Sequence, residues 1–342
     1  MILTKSNRRQ PPRWQQELAC AITDPAELLQ ELDLDLTLLS AARAASARFP
    51  LRVPRGFVAR MRKGDPADPL LRQVLPLAEE LAPAPGFVAD PVDDRAARVA
   101  PGVLHKYHGR ALLIATGACA VHCRYCFRRE YPYAESRAGW GEWRAALAYL
   151  TDETSLREVI LSGGDPLSLS DRRLGALLAE LDRIPHLRRV RIHSRQPIVL
   201  PERIDAGFLE LLARTRLQPV LVVHANHPRE IDGTVRAALE RAAAAGMTLL
   251  NQSVLLRGVN DSAAILAELS EALFAARVLP YYLHLLDRVR GAAHYEVNES
   301  EASAIMAQLL EQLPGYLVPR LVREQPGHLA KVPIWSVPVK VR

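Results

Sequence analysis

From about residue 105 the chain alternates short apolar runs with stretches of helical periodicity, and that alternation constrains the fold more than any other feature. The runs at 111–116, 158–162, 190–193, 219–224, 247–254 and 279–285 read as buried strands. The stretches near 141–150, 171–181, 204–214, 233–245, 261–276 and 299–313 read as the helices between and after them. Six such βα units predict a parallel sheet, and repeated right-handed crossovers curl such a sheet toward a barrel. The expected fold class is therefore α/β, a partial (β/α)6 TIM-like barrel.

In barrels of this kind the reactive groups gather at the C-terminal ends of the strands. The first predicted strand runs into Cys119, Cys123 and Cys126, and the second into Ser162-Gly163-Gly164-Asp165. The third ends at His193-Ser194-Arg195 and the fourth at His224-Ala225-Asn226-His227. The fifth carries Asn251-Gln252-Ser253, and the sixth reaches Asp287. A polar residue after a strand is ordinarily a turn former or a helix cap. Six sets converging on one end predict a site.

Three of the four cysteines share one stretch, spaced C-x3-C-x2-C, directly after the first strand. Thiolates are soft ligands, and clustered cysteines in a chain with no export signal point to iron–sulfur or zinc chemistry rather than disulfides. Three ligands are one short of a closed zinc site, whereas a 4Fe–4S cluster held by three cysteines keeps one iron open. From the residues alone, zinc completed by His122 or another histidine and ordinary buried cysteines remain alternatives. Gly163-Gly164 reads either as a tight turn or as backbone that a ligand approaches closely. Cys20, alone in an amphipathic pattern, is expected in the core.

With 49% hydrophobic and 24% charged residues in 342, the composition is that of a globular enzyme with a large core, and no apolar run approaches the roughly eighteen residues of a membrane span. Residues 1–13 are basic and polar, without a signal-peptide core, so the cytoplasm is the expected compartment. The net charge of +6 comes from arginines scattered along the chain, which suits solvated helix faces better than a nucleic-acid surface. Residues 1–100 are expected to form a mainly helical extension, with helices at 24–32 and 37–48 and a proline-rich linker at 82–101. The barrel would occupy 101–313, and a C-terminal segment 314–342.

That last segment holds Lys331 between prolines. The lysines are only Lys5, Lys63, Lys106, Lys331 and Lys340. A surface lysine is ordinarily a solvated charge. Arginine cannot form a Schiff base, however, so a lysine kept in so arginine-rich a chain favours a chemical amine, with pyridoxal phosphate (PLP) as the obvious aldehyde. Lys106, beside Tyr107, is the rival.

With Tyr125 as its aromatic, the C-x3-C-x-aromatic-C stretch resembles the signature of the radical SAM enzymes, whose cluster binds S-adenosylmethionine (SAM) at the open iron. Further segments are His105-Lys-Tyr-His-Gly-Arg110, Leu161-Ser-Gly-Gly-Asp-Pro-Leu167, Ile192-His-Ser-Arg-Gln-Pro197, His224-Ala-Asn-His-Pro228, Asn251-Gln-Ser253 and Pro280-Tyr-Tyr-Leu-His-Leu-Leu-Asp287. Together they resemble the lysine 2,3-aminomutases over about residues 100–335. The resemblance implies that Cys119, Cys123 and Cys126 hold the 4Fe–4S cluster and that Lys331 carries PLP. It also implies that Tyr107, Arg110 and Gln252 contact the cofactors and that Gly163, Gly164 and Asp165 meet the methionine amino group of SAM. Arg128 falls where the family binds the lysine carboxylate, and Asp287 and Glu324 where it binds the distal ammonium. Glu324 is one methylene longer than the family's aspartate. The chain lacks the C-terminal cysteines that bind zinc in clostridial-type members, so no zinc is expected. Its short length and N-terminal segments resemble the EpmB-type branch. That branch implies a low-potential electron donor and (R)-β-lysine made for attachment to elongation factor P by a partner ligase, with no direct nucleic-acid or membrane partner.

Overall fold

A computed structural model describes residues 10–133 and 140–334. The basic residues 1–9, with Lys5, and the tail 335–342, with Lys340, lie outside the described residues. The N-terminal part folds into α1 (Arg13–Ala19), α2 (Pro25–Glu31), α3 (Leu39–Arg48) and the short α4 (Arg55–Val58). Asp24 caps α2, accepting from the Ala26 N–H at 3.0 Å, with Pro25 at the first helical position. The expected helix 37–48 begins as a 3-10 turn, Leu36–Leu38, and becomes regular at Leu39. Cys20 corrects an expectation. Helix α1 is only two turns long, its buried side chain is Trp14, and Cys20 sits in the turn that ends it, exposed.

The strands β1 (Arg98–Ala100) and β2 (Val103–Tyr107) lead antiparallel into β3 (Arg110–Thr116). The parallel strands that follow are β4 (Glu158–Gly163), β5 (Arg189–Ser194), β6 (Gln218–Val223), β7 (Thr248–Val254) and β8 (Leu279–His284). They alternate with α5 (Trp140–Asp152), α6 (Asp171–Asp182), the short α7 (Gln196–Val199), α8 (Ala206–Arg214), α9 (Gly233–Ala244), α10 (Ala263–Ala275) and α11 (Glu299–Gln312). The sheet continues past the predicted units through β9 (Arg320–Arg323), parallel to β8, and β10 (Val332–Pro333), antiparallel to β9. Among the described residues ten strands thus lie side by side in chain order, and the segment after 314 supplies two of them.

Side chains alternate across a strand, so residues in register share a face. One face of the sheet is apolar. Ala111, Leu113 and Ala115 of β3, Val159 and Leu161 of β4, Val190 and Ile192 of β5 and Leu221 and Val223 of β6 pack with Leu150, Leu174, Leu177, Phe208 and Leu239 of the helices. The register Ile160–Arg191, Ile114–Ser162 and Gln252–Tyr282 puts the polar side chains on the opposite face. A face that carries Ser162, Arg191, His193, Gln252, Tyr282 and His284 is not built to receive a helix. It forms the floor of the site. A second core joins Trp14, Ile22, Leu51 and Phe57 of the N-terminal helices to Ala120 and Val121 of the cysteine loop and to Val199 and Leu200.

Candidate active site

The cysteine loop leaves the end of β3 and is held in place by the N-terminal part. The His122 N–H donates to Arg52 O at 2.9 Å and the Arg124 N–H to Gln73 O at 2.9 Å. Glu80 takes Arg124 through both its oxygens at 2.8 and 2.6 Å, and Arg129 at 2.6 Å, with Arg124 fully buried. A buried carboxylate is tolerable only when its charge is met, and two guanidinium groups meet this one. On the other side Arg195, at the end of β5, donates to Cys123 Sγ at 2.8 Å, to the Tyr125 hydroxyl at 2.6 Å and to Gln73 at 2.6 Å, and pairs with Glu230 at 3.2 Å.

The three cysteines are free and half-buried. Burial, then Asp165 and the neighbouring sulfurs, pushes the Cys119 thiol well up, and burial and Cys123 push Cys126 up to about 11. Crowded thiols of this kind need added positive charge to ionise, which the iron of a cluster supplies. Among the described residues no three His, Cys, Asp or Glu side chains are gathered as a single ion would require. The cysteines suit a cluster that takes each thiolate on a different iron.

Gly163 and Gly164 are required by the chain itself. A Cβ on Gly164 would lie 2.5 Å from Ala118 O, and one on Gly163, at φ +108°, 2.7 Å from Ile114 Cγ2. The glycines therefore let the end of β4 lie against the cysteine loop. The Gly163 carbonyl accepts from the Tyr133 hydroxyl at 2.5 Å. The Asp165 carboxylate accepts from the backbone N–H groups of Leu167, Arg195 and Gln196 and from Ser194 Oγ, at 2.7–3.0 Å. Its side chain is turned toward the end of β5, so whatever this turn offers a ligand comes from the backbone.

A second group lies along the polar face. Lys331 Nζ donates to Glu324 Oε2 at 2.5 Å, and the Tyr107 hydroxyl donates to Glu324 Oε1. The Arg110 guanidinium stacks over the Tyr107 ring at 4.6 Å. Lys331 Nζ is 5.9 Å from the centre of the Tyr282 ring, which packs against Tyr281 at 3.8 Å. Lys106 is near, with its amine on Val92 O at 2.6 Å and Asp94 at 2.8 Å and 3.7 Å from Glu324. Arg128 Nε donates to Asp94 at 2.7 Å and Nη1 to Ser162 at 3.2 Å. Burial raises the Asp287 carboxyl to about 7, with Lys331 and Lys106 opposing and Glu324 and Asp94 adding to the rise. Burial also drives His193 and His284 well below the usual imidazole range, and His224, beside Gln252 at 2.8 Å, down to about 3. These imidazoles are neutral. Among the described residues, the buried His193 Nε2, His284 Nε2 and Arg191 Nε have no hydrogen-bond partner, which suits a face that binds a polar ligand. An amine, a stacked arginine, tyrosine hydroxyls and orphaned donors fit a phosphorylated aldehyde such as PLP.

The predicted site residues thus form two groups. Cys119, Cys123 and Cys126, with Gly163 and Gly164, make one. Tyr107, Arg110, Glu324 and Lys331 make the other, with Arg128 linked to them through Asp94 and Lys106; Asp287 feels their charges, and Gln252 joins His224 on the same face. The sequence reading missed Asp94, Glu80, Gln73, Glu230 and the bonding of Arg195. Asp94 lies in an irregular segment and Glu80 in a single 3-10 turn, Ala78–Leu81, too short to show a period. Arg195 was visible as the polar end of a strand.

No protein-family model matches the chain. An L-lysine 2,3-aminomutase of Escherichia coli is 53% identical over 322 residues, 94% of each chain. One of Haemophilus influenzae is 48% identical over 93% of this chain and 94% of its own. One of Clostridium subterminale is 38% identical over 79% of this chain and 65% of its own. A solved radical SAM methyltransferase of Sphaerobacter thermophilus, at a TM-score of 0.46 and 19% identity over 65% of this chain and 68% of its own, is too loose a likeness to carry weight. Identity of this extent along nearly the whole of two relatives, over a chain that carries the three-cysteine loop and Lys331, shows that the protein belongs to the radical SAM lysine 2,3-aminomutase family.

Proposed function

We propose that the protein is an isomerase that moves the amino group of L-lysine from C2 to C3, using a 4Fe–4S cluster, SAM and PLP. The observation that carries this reading is the pairing of an open three-cysteine loop with an amine, Lys331, on the polar face of the same sheet. When bound, the cluster with SAM supplies a hydrogen-abstracting radical and PLP a conjugated system that stabilises the substrate radical. The chain's own share is binding and orientation. Lys331 provides the amine for PLP, while Arg110, Tyr107 and Gln252 line the cofactor. Arg128 offers its Nη edge to the amino-acid carboxylate. Asp287, in its carboxylate form, and Glu324 receive the far end of lysine. Neutral His193, His224 and His284 add no further positive charge to a face that already carries Arg191 and the Lys331 amine. Gly163, Gly164 and Asp165 present backbone to SAM, and the N-terminal part closes the cysteine loop against water.

The finer reading is that the product is (R)-β-lysine, attached to elongation factor P by a partner ligase, with a low-potential donor feeding the cluster in the cytoplasm. Similarity supports it, since the chain is 53% identical to the Escherichia coli relative over 94% of this chain but 38% identical to the clostridial one over 79%. In the same reading the βα units 101–313 curl into a partial barrel, with residues 1–100 as an extension and 314–342 as the segment that brings Lys331. No helix among the described residues is long and apolar enough to cross a membrane. Anaerobic reconstitution followed by iron and sulfide analysis tests the cluster. Iron and sulfide in equal amounts are expected, and zinc without sulfide would sink the reading.

A further inference from the structure

We propose that Asp94 is a positioning residue for the reaction: it fixes the guanidinium that receives the substrate carboxylate and ties it, through Lys106, to the end of the site that holds Lys331. The proposal rests on the role given to Arg128 above. Asp94 is 2% exposed and lies in the stretch before β1 that the sequence presents as a linker. Its Oδ2 accepts from Arg128 Nε at 2.7 Å, while Oδ1 is 2.8 Å from Lys106 Nζ. A guanidinium is a flat fork of five N–H donors. With Nε held by Asp94, Nη1 touching Ser162 at 3.2 Å and the plane stacked on Phe127 at 4.7 Å, little rotation is left to it. Nη2 carries no hydrogen bond among the described residues. The free edge of the fork is thereby aimed, and a carboxylate meets it without the side chain first having to be ordered.

The second oxygen extends the effect. Lys106 is held by Asp94 and by Val92 O at 2.6 Å, and stands 3.7 Å from Glu324, which in turn holds Lys331 at 2.5 Å. The series Arg128, Asp94, Lys106, Glu324, Lys331 alternates in sign along its length. Asp94 is the described ion-pair partner of Arg128, whose side chain is 7% exposed, so the cation depends on this carboxylate. These pairs, buried at Arg128 and Asp94 and half-buried from Lys106 to Lys331, run between the carboxylate-binding fork and the cofactor's amine.

The test measures ligand binding to PLP-loaded, cluster-reconstituted protein without SAM, by the change in PLP absorbance. Two ligands are compared, L-lysine and 1,5-diaminopentane, which has both amines but no carboxylate. Asp94→Asn is expected to weaken L-lysine binding about tenfold or more, the scale of a lost charged hydrogen bond. It is expected to leave 1,5-diaminopentane within about twofold and iron content unchanged, with Asp94→Glu recovering part of the loss. The Asp94→Asn/Arg128→Gln double variant should bind L-lysine no more weakly than Arg128→Gln alone, because both act on one contact. Equal weakening of the two ligands, or additive losses in the double variant, would overturn the proposal. So would Asp94→Asn protein that binds L-lysine like the parent, while the parent's turnover of lysine leaves the functional reading standing. Parent protein that neither binds nor converts L-lysine fails that reading instead.

Discussion

At the scale of single residues the two lysine candidates separate by their partners. The Lys106 amine is committed to Asp94 and a backbone carbonyl, whereas the Lys331 amine is met by Glu324 alone among the hydrogen bonds described. Borohydride reduction of PLP-loaded protein followed by peptide mapping should therefore label Lys331. Label on Lys106 would contradict the assignment. Asp287 makes a prediction in pH. Its carboxyl rises from an ordinary 3.8 to about 7, chiefly through burial, so in the folded protein it is neutral below pH 7 and charged above. Lysine binding that uses it should tighten several-fold from pH 6 to pH 8, and Asp287→Asn should remove that rise. The folded state binds a proton that the unfolded chain has lost between about pH 4 and 7, so this group costs the fold stability as pH rises through that window. Asp287→Asn should accordingly melt higher than the parent at pH 8 and differ little below pH 4. An unchanged pH profile would remove Asp287 from the binding site.

At the scale of elements, the cysteine loop is shaped by what lies against it. Gly164→Ala would push a methyl to 2.5 Å from the Ala118 carbonyl, backbone against backbone, where neither side can give way. Loss of most bound iron from otherwise folded protein is expected, read by iron analysis and circular dichroism; full iron content would show that the loop tolerates the shift. Glu80→Gln leaves Arg124 and Arg129 buried without a carboxylate and should cost about 3–5 kcal/mol, read by chemical denaturation. The strands and helices of the βα units were legible to within two residues, because apolar period and helix caps are local properties of the sequence. So was the cysteine spacing. The contacts of Asp94, Gln73 and Glu80 were not, since each reaches a partner thirty or more residues away from an irregular segment or a single 3-10 turn. Cys20 misled for the converse reason. Its pattern was helical, but a two-turn helix ends before the pattern does.

At the scale of the molecule, three parts of the chain meet around one sheet face. The N-terminal part grips the cysteine loop through Arg52, Gln73 and Glu80, the parallel strands lay out the polar face, and the last strands return Lys331 and Glu324 to Tyr107 on β2. Protein truncated before residue 80 should lose the cluster while PLP attachment falls less, since the lysine end is built by β2, β8, β9 and β10. Equal loss of iron and PLP would show that the two ends are not separable in this way. The proposed function has Arg128, Asp287 and Glu324 frame a lysine between the cluster and the PLP amine. Its most direct test supplies L-lysine, L-glutamate and L-arginine together to the reconstituted protein with SAM, PLP and dithionite, and identifies the products by mass and stereochemistry. (R)-β-Lysine alone is predicted; β-glutamate or β-arginine, or no β-amino acid from protein fully loaded with iron and sulfide, would contradict it.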